Sequence, residues 1–266
     1  MTGTFNAETL KAALDAAGLK ASLRFFDTLG STNDLARDLL LDKDVPEWTV
    51  IVADAQTAGH GRMNRAWLAP AGDTVCMSVV LRPTIEPAHL PRLTMLGALA
   101  TLRTLRRWFD ADALGLKWPN DVLLHGRKVA GILPEGSFVG AVLRGAVLGI
   151  GINVGTDFSA HPDLAASAIS MQEAAPGVRF DRVAVLTELL RRLEEAYPRL
   201  ESQELFNAWR DALVILGRQV IVTTPDGAVR GIAETVSPEG ALWLRSADGH
   251  RQRFLAGDVS LRDKDG

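Results

Sequence analysis

The chain has 266 residues, 47% of them hydrophobic and 23% charged, with a formal net charge of −3. That is the make-up of a soluble globular protein, either one large domain or a core domain with a small one, without the basic excess of a nucleic-acid binder. A lone cysteine, Cys76, excludes a disulfide framework, no basic-then-apolar leader opens the chain, and no apolar run reaches the about 18 residues a bilayer span needs, so a cytoplasmic location is expected.

In chain order, "NAETLKAALDAAG" sets Leu10 and Leu14 at helical spacing and ends on Gly18, which predicts a helix. "SLRFFDTLG" predicts a strand running into a turn. "STNDLARDLLL" opens with capping residues and sets Leu35, Leu39 and Leu40 on one helical face. "WTVIVADAQ" and "TVCMSVVLR" are apolar, β-branched runs and predict buried strands. Between them lies "TAGHGRMNRAWLAP", with two glycines, three cationic or potentially cationic side chains, a tryptophan and no acid. "HLPRLTMLGALATLRTLRRWF" is the longest amphipathic pattern and predicts a core helix. "LGLKWPNDVLLHGRKVAGILPEG" predicts two short strands around a Pro-Asn-Asp turn. "GAVLGIGINVG" predicts an apolar strand, and "DRVAVLTELLRRLEEAYPRL" and "SQELFNAWRDAL" predict helices.

The character changes near Leu216. Four or five short strands follow, separated by Pro-Asp-Gly, Pro-Glu-Gly and Ala-Asp-Gly turns. The expected fold is therefore α/β (α+β): a mixed-sheet domain over residues 1–215 flanked by helices, and a small β-barrel over 216–266.

Common catalytic motifs are missing from the sequence. Gly59-x-Gly61 begins a dinucleotide fingerprint, but Asn64 stands where its third glycine belongs and no helical run follows. No Walker A loop or Gly-x-Ser-x-Gly elbow occurs, and the histidines show no metal-ligand spacing. A constellation remains. Ser31, Thr32 and Asn33 offer hydroxyls and an amide at a helix start. The segment from Gln56 to Trp67 supplies an amide, flexible backbone N–H groups, Arg62, Arg65 and an aromatic platform. "KWPND" packs a cation, a rigid turn, Asn120 and Asp121 into five residues. "GRKVAGIL" adds Lys128 and "GIGINV" adds Asn153. Taken singly, each of these is a helix cap, a solvated charge, a turn former or a core aromatic. His125 and Cys76 are expected to be structural.

In this order, the stretches resemble those of biotin protein ligases. The family pattern runs S-T-N, Q-x-x-G-R-G-R-x-G-R-x-W, K-W-P-N-D, R-K-x-A-G-I-L and G-x-G-x-N, and the match spans Gly30 to Val154. The terminal "AGDVSLR" is similar to the end of the family's C-terminal SH3-like domain. The resemblance implies two steps. Biotin and MgATP give biotinyl-5′-adenylate and pyrophosphate, and a lysine of a biotin carboxyl carrier protein then displaces AMP.

Both reacting groups of the first step are anions, so fixed cations must offset their repulsion. The resemblance gives that role to Arg62 and Lys128, which also reach biotin and nucleotide. Ser31, Thr32, Asn33, Gln56, the loop backbone at Gly59, His60 and Gly61, and Gly131 are the implied biotin contacts. Arg65, Trp67, Asn120 and Asn153 are the implied adenylate contacts. Asp121 is the candidate to take the proton of the incoming lysine or to hold its ammonium, and the glycine-rich loop is a candidate lid. Mg²⁺ arrives with ATP, and the sequence specifies no metal ligands.

The loop departs from the pattern where His60 replaces an arginine and Asn64 a glycine. Asn is the non-glycine residue most tolerant of positive φ, so the turn is expected to survive. Some relatives carry an N-terminal DNA-binding module. The stretch before Ser22 forms one helix at most, so no DNA partner is expected. A homodimer through an edge strand is open, as is docking of the carrier there. The alternatives are a lipoate-attaching ligase of the same superfamily and a non-catalytic biotin-binding protein. The loop and "KWPND" favour biotin, and Arg62, Asp121 and Lys128 together favour catalysis. Restoring the cation with His60→Arg is expected to slow loss of the bound adenylate by about twofold to tenfold, and an unchanged off-rate contradicts it.

Overall fold

The computed structural model describes residues 4–261. The elements are α1 (Ala7–Ala16), β1 (Ser22–Leu29), α2 (Thr32–Leu40), β2 (Thr49–Gln56), β3 (Thr74–Leu81), α3 (Pro91–Leu105), β4 (Leu114–Lys117), β5 (Asp121–Leu124), β6 (Arg127–Val139) and β7 (Val142–Asn153). There follow α4 (Pro162–Ala165), α5 (Met171–Ala174), α6 (Arg182–Ala196), α7 (Gln203–Asp211), β8 (Gln219–Thr224), β9 (Gly227–Val236), β10 (Leu242–Arg245), β11 (Arg251–Phe254) and β12 (Asp258–Leu261). Among these described residues no helix is long and apolar enough to cross a membrane.

Strands β1 to β7 form one seven-stranded sheet in the order β1-β2-β3-β7-β6-β5-β4. Only β1 and β2 run parallel, with α2 as their crossover; the other pairings are antiparallel. The far edge, β4, is covered by residues 212–214, whose backbone bonds both sides of Leu116 at 2.9 Å. Strands β8 to β12 form a separate five-stranded antiparallel sheet, the small C-terminal SH3-like unit expected from the turn-rich sequence.

Alternation of side chains sorts the main sheet into two faces. Val75, Met77, Val79 and Leu81 of β3, with Leu148, Ile150 and Ile152 of β7, enter the large core. Helices α1, α3 and α6 cover that face, and Leu10 and Leu14 of α1 are fully buried in it. The opposite face carries α2 and a smaller cluster of Ala36, Leu40, Ile51, Val80 and Val147. Leu40 is buried as expected, but Leu35 and Leu39 are only partly covered, and the helix buries Thr32, Asn33 and Ala36 instead. The polar start of α2 is thus an inward-facing end.

The segment from Leu114 differs from expectation. It forms three strands rather than two, because His125 and Gly126 take positive φ of 49° and 76° and turn the chain from β5 into β6. Histidine is a weak signal for such a two-residue turn, whereas Asn-Gly or Asp-Gly is a strong one. Two short helices, α4 and α5, were also not expected, although Ser170 and Glu173 form a capping box at α5 that the S-x-x-E spacing carries. Arg262 of "AGDVSLR" lies outside the described residues.

The two sheets meet at Trp118, 1% exposed, whose indole donates to the carbonyl of Gly240 at 2.8 Å. On α3, Gly97 lets the helix press onto the sheet: a Cβ there would stand 2.7 Å from Ile132 Cγ2 and 3.3 Å from Leu148 Cδ1. Gly97→Val is expected to destabilise the protein by about 2 kcal/mol or more through overpacking. Urea denaturation measures it, and unchanged stability would show that the interface is loose.

Candidate active site

The cavity of about 610 Å³ on the α2 face is built on a row of small residues across the sheet. Cys76 pairs with Gly151, Gly151 with Gly131, and Gly131 with Asp121. The next row holds Ser78 opposite Gly149. The glycines are required by what lies on them. A Cβ on Gly151 would meet the Trp67 ring at 2.5 Å, and one on Gly149 would collide with the Asn33 amide. A Cβ on Gly131 would meet Trp67 and the Lys128 stem at 3.2 Å. Trp67 therefore lies flat against the floor, with the Lys128 ammonium 5.5 Å from its ring centroid. Its Nε1 is buried against the floor, over Gly151 and beside the Cys76 thiol.

At the α2 end the groups are neutral and polar. Ser31 caps the helix by accepting from Asp34 N at 3.4 Å. The amide N–H of Thr32 donates to Gln56 Oε1 at 2.7 Å, and the Thr32 hydroxyl lies 3.1 Å from the same oxygen. Asn33 donates to Leu133 O at 3.2 Å and to Glu135 Oε2 at 2.7 Å. A donor and an acceptor, Thr32 N and Gln56 Oε1, thus stand side by side at the wall.

At the other end the groups are charged. Lys128 Nζ lies 2.6 Å from Asp121 Oδ1 and Lys117 Nζ 3.5 Å from Oδ2. Oδ1 is fully buried, and the Lys128 ammonium is its charged neighbour. Asn120 Nδ2 donates to Ile132 O at 2.8 Å and holds the turn before Asp121. Asn153 Nδ2 donates to Lys128 O at 3.4 Å and Ile169 O at 3.3 Å, fixing β6 to the segment before α5.

The glycine-rich loop is a tight hairpin over this cavity. Trp67 N donates to Gly59 O at 2.8 Å and Gly61 N to Arg65 O at 2.7 Å, and His60 bridges Ala66. A Cβ on Gly59 would sit 2.8 Å from Trp67 O, so glycine is required there. Met63 and Asn64 take left-handed φ of 56° and 55° at the tip, and Asn64 suits that conformation. The hairpin is held on two sides. His60 Nε2 lies 3.3 Å from Asp34 Oδ1 of α2. Arg65 pairs with Asp258 of β12, and Arg62 donates to Gly257 O at 3.4 Å. Burial pulls the Arg62 guanidinium below its ordinary value, and the carboxylates of Asp258 and Asp121 oppose that. A guanidinium remains charged at neutral pH in any case.

The candidate biotin and adenylate contacts from Ser31 to Asn153 line this one cavity, except Gly59, which packs against Gln56 and Trp67. Cys76 lines it too, from the floor, where burial pushes the thiol up and keeps it neutral. The sequence reading gave no role to Ser78, which lies buried beneath Thr32 and Asn33, and missed a wall made by Thr223, Asp258, Val259 and Ser260 of the C-terminal sheet, while Lys117, the cation of "KWPND", lines the cavity. Cys76 and Ser78 alternate along β3 on the face opposite the core, a period that was available. The C-terminal wall depends on how the two sheets pack and has no local signal. Among the described residues no group of three or more His, Cys, Asp or Glu side chains is placed to hold a metal.

Known proteins agree with this architecture. A model described as the biotin/lipoate A/B protein ligase family matches residues 25–153, which places the main sheet in that class. A second model, the biotin protein ligase C terminal domain, matches residues 215–262. The "Bifunctional ligase/repressor BirA" of Bacillus subtilis is 33% identical over 263 residues, covering 97% of this chain and 80% of the relative. The "Biotin--[acetyl-CoA-carboxylase] ligase" of Paracoccus denitrificans is 35% identical over 239 residues, covering 86% of this chain and 96% of the relative. A solved structure of the Aquifex aeolicus biotin protein ligase in complex with biotin and ATP superposes with a TM-score of 0.72 at 27% identity, covering 92% and 99% of the two chains. The chain belongs to the biotin protein ligase family.

The floor makes a firm demand on Gly151, whose backbone is fixed between β3 and β6. In Gly151→Ala the Trp67 ring is displaced, and the ligation kcat/KM is expected to fall roughly 100-fold, the cost of misplacing site groups by about an ångström. Circular dichroism should show the fold retained. Activity at the wild-type level would mean that the ring position is immaterial.

Proposed function

We propose that the chain activates biotin with ATP as biotinyl-5′-adenylate and transfers the biotinyl group to a lysine of a biotin carboxyl carrier domain. The observation that carries this is the polarity of one cavity, neutral and hydrogen-bonding at the α2 end and cationic at the Arg62–Lys128 end.

A cyclic urea carries N–H donors beside a carbonyl acceptor. The adjacent Thr32 N–H and Gln56 Oε1 offer the complementary pair, and the ring enters by exchanging their mutual bond of 2.7 Å for two bonds to the ligand. The valeryl carboxylate then extends along the floor toward Arg62 and Lys128. There its oxygen attacks the α-phosphorus of ATP, a new P–O bond forms, and pyrophosphate departs with the electrons of the old one. The two cations offset the repulsion between carboxylate and phosphate and stabilise the charge that builds on the equatorial oxygens.

In the second step the lysine nitrogen attacks the acyl carbon and AMP leaves. The amine must shed a proton, and the Asp121 carboxylate, which lines the cavity, is assigned to receive it. The two lysines beside Asp121 hold its carboxylate in place at the charged end of the cavity.

Magnesium is assigned to the nucleotide. The carboxylates near the phosphate region, Asp121 and Asp258, are each engaged by cationic side chains, so the donor set fits an ion carried mainly by phosphate oxygens and water. That ion supplies charge neutralisation at the phosphates when bound. The acceptor is assigned from the chemistry of the anhydride and from the carboxylase named for the Paracoccus relative.

Biotin-dependent exchange of labelled pyrophosphate into ATP isolates the first step. It is expected in the wild type and reduced about 10²- to 10³-fold in Arg62→Ala and in Lys128→Ala, as for other lost transition-state donors. Exchange supported by lipoate but not by biotin would overturn the assignment.

A further inference from the structure

Ser78 is fully buried on β3, and nothing in the reaction scheme uses it. Its hydroxyl stands 2.8 Å from Thr32 Oγ1 and 2.6 Å from Asn33 Oδ1. A hydroxyl has one proton, so it donates to only one of them. The Asn33 amide decides which. Its Nδ2 faces two pure acceptors, Leu133 O and the Glu135 carboxylate, at 3.2 and 2.7 Å. Nitrogen must lie on that side, so the oxygen facing Ser78 can only accept. The Ser78 proton goes to Asn33, and the Ser78 oxygen is left to accept from the Thr32 hydroxyl.

We infer that Ser78 is a positioning residue that orients the Thr32 hydroxyl, so that its proton points into the sheet and its lone pairs face the cavity. The alternative partner for that proton, Gln56 Oε1, is farther away at 3.1 Å and already accepts from Thr32 N. Polarity thus runs one way, from the Thr32 hydroxyl through Ser78 and the Asn33 amide to Glu135. Thr32 then presents one backbone donor and one side-chain acceptor fixed in sign. The acceptor selects a ligand N–H and opposes a ligand oxygen at that point. The inference rests on the cavity being a biotin site, and it adds that Ser78 sets the preference for a ureido N–H.

Titration calorimetry with biotin and with its two carbamate analogues, in which one or the other ring N–H is replaced by oxygen, tests it. Binding of biotin by the wild type tests the underlying assignment separately from the relay. At the ring position facing Thr32, the wild type is expected to prefer biotin strongly. In Ser78→Ala the freed Thr32 hydroxyl can turn and donate, so the preference is expected to narrow about tenfold at that position and to be unchanged at the other. Ser78→Cys, whose sulfur is a weak acceptor for the Thr32 proton and which stays close to serine in size, should narrow it in the same direction, and Ser78→Thr, which keeps the hydroxyl, should retain it. A merely structural role for Ser78 would weaken biotin and both analogues alike. Equal discrimination in the wild type, Ser78→Ala and Ser78→Cys overturns the relay.

Discussion

The site depends on one packing constraint: the face of β3, β6 and β7 turned away from the main core must carry almost no side-chain volume. Gly131, Gly149 and Gly151, with Cys76 and Ser78, leave the hollow into which Asn33, Trp67 and Lys128 fold. The same strands fill the opposite face with Val, Leu, Ile and Met, so the sheet is anchored on one side while the other stays open. A rigid floor is what lets a few polar side chains hold fixed positions, since interiors packed at crystal density transmit little slack.

Electrostatics is built on that floor in opposing halves. The α2 end satisfies its polar groups internally and has no net need of an anion. The other end gathers Arg62, Lys117 and Lys128, and two carboxylates, Asp121 and Asp258, hold the cations in place without neutralising the set. Like-charged substrates can meet there because the cations are already positioned, and no reorganisation is required when the bond forms. The hairpin that carries Arg62 is tied to α2 through His60 and to β12 through Arg65, so both the main sheet and the C-terminal sheet set its position. Trp118, within the same motif as Lys117 and Asp121, joins the two sheets.

Much of this was legible in the sequence. Ser31 announced a helix start, and the ordered polar motifs announced one site, because residue types suited to a phosphate, a carboxylate and a neutral polar ring occur there together. Apolar, β-branched runs such as "WTVIVADAQ" and "TVCMSVVLR" gave the buried strands. What stayed hidden required tertiary placement. Leu35 and Leu39 form an apolar stripe, yet α2 turns Thr32 and Asn33 inward because the cavity, not the core, lies beneath its first turn. Ser78 looks like any polar residue in a strand until Asn33 is brought against it from α2. The His125–Gly126 turn has no strong sequence signal, so one strand was missed. The wall contributed by Asp258 and its neighbours exists only once the two sheets pack together.

The central claim is that this cavity selects biotin and delivers it to a protein lysine. The most direct test is intact-mass spectrometry of a purified biotin carboxyl carrier domain incubated with the full chain, MgATP and equimolar biotin and lipoate. The account predicts one biotinyl group per acceptor, on a single lysine, with no lipoyl product. Lipoylation in the presence of biotin, or an unmodified acceptor beside a folded and biotin-saturated chain, would contradict it.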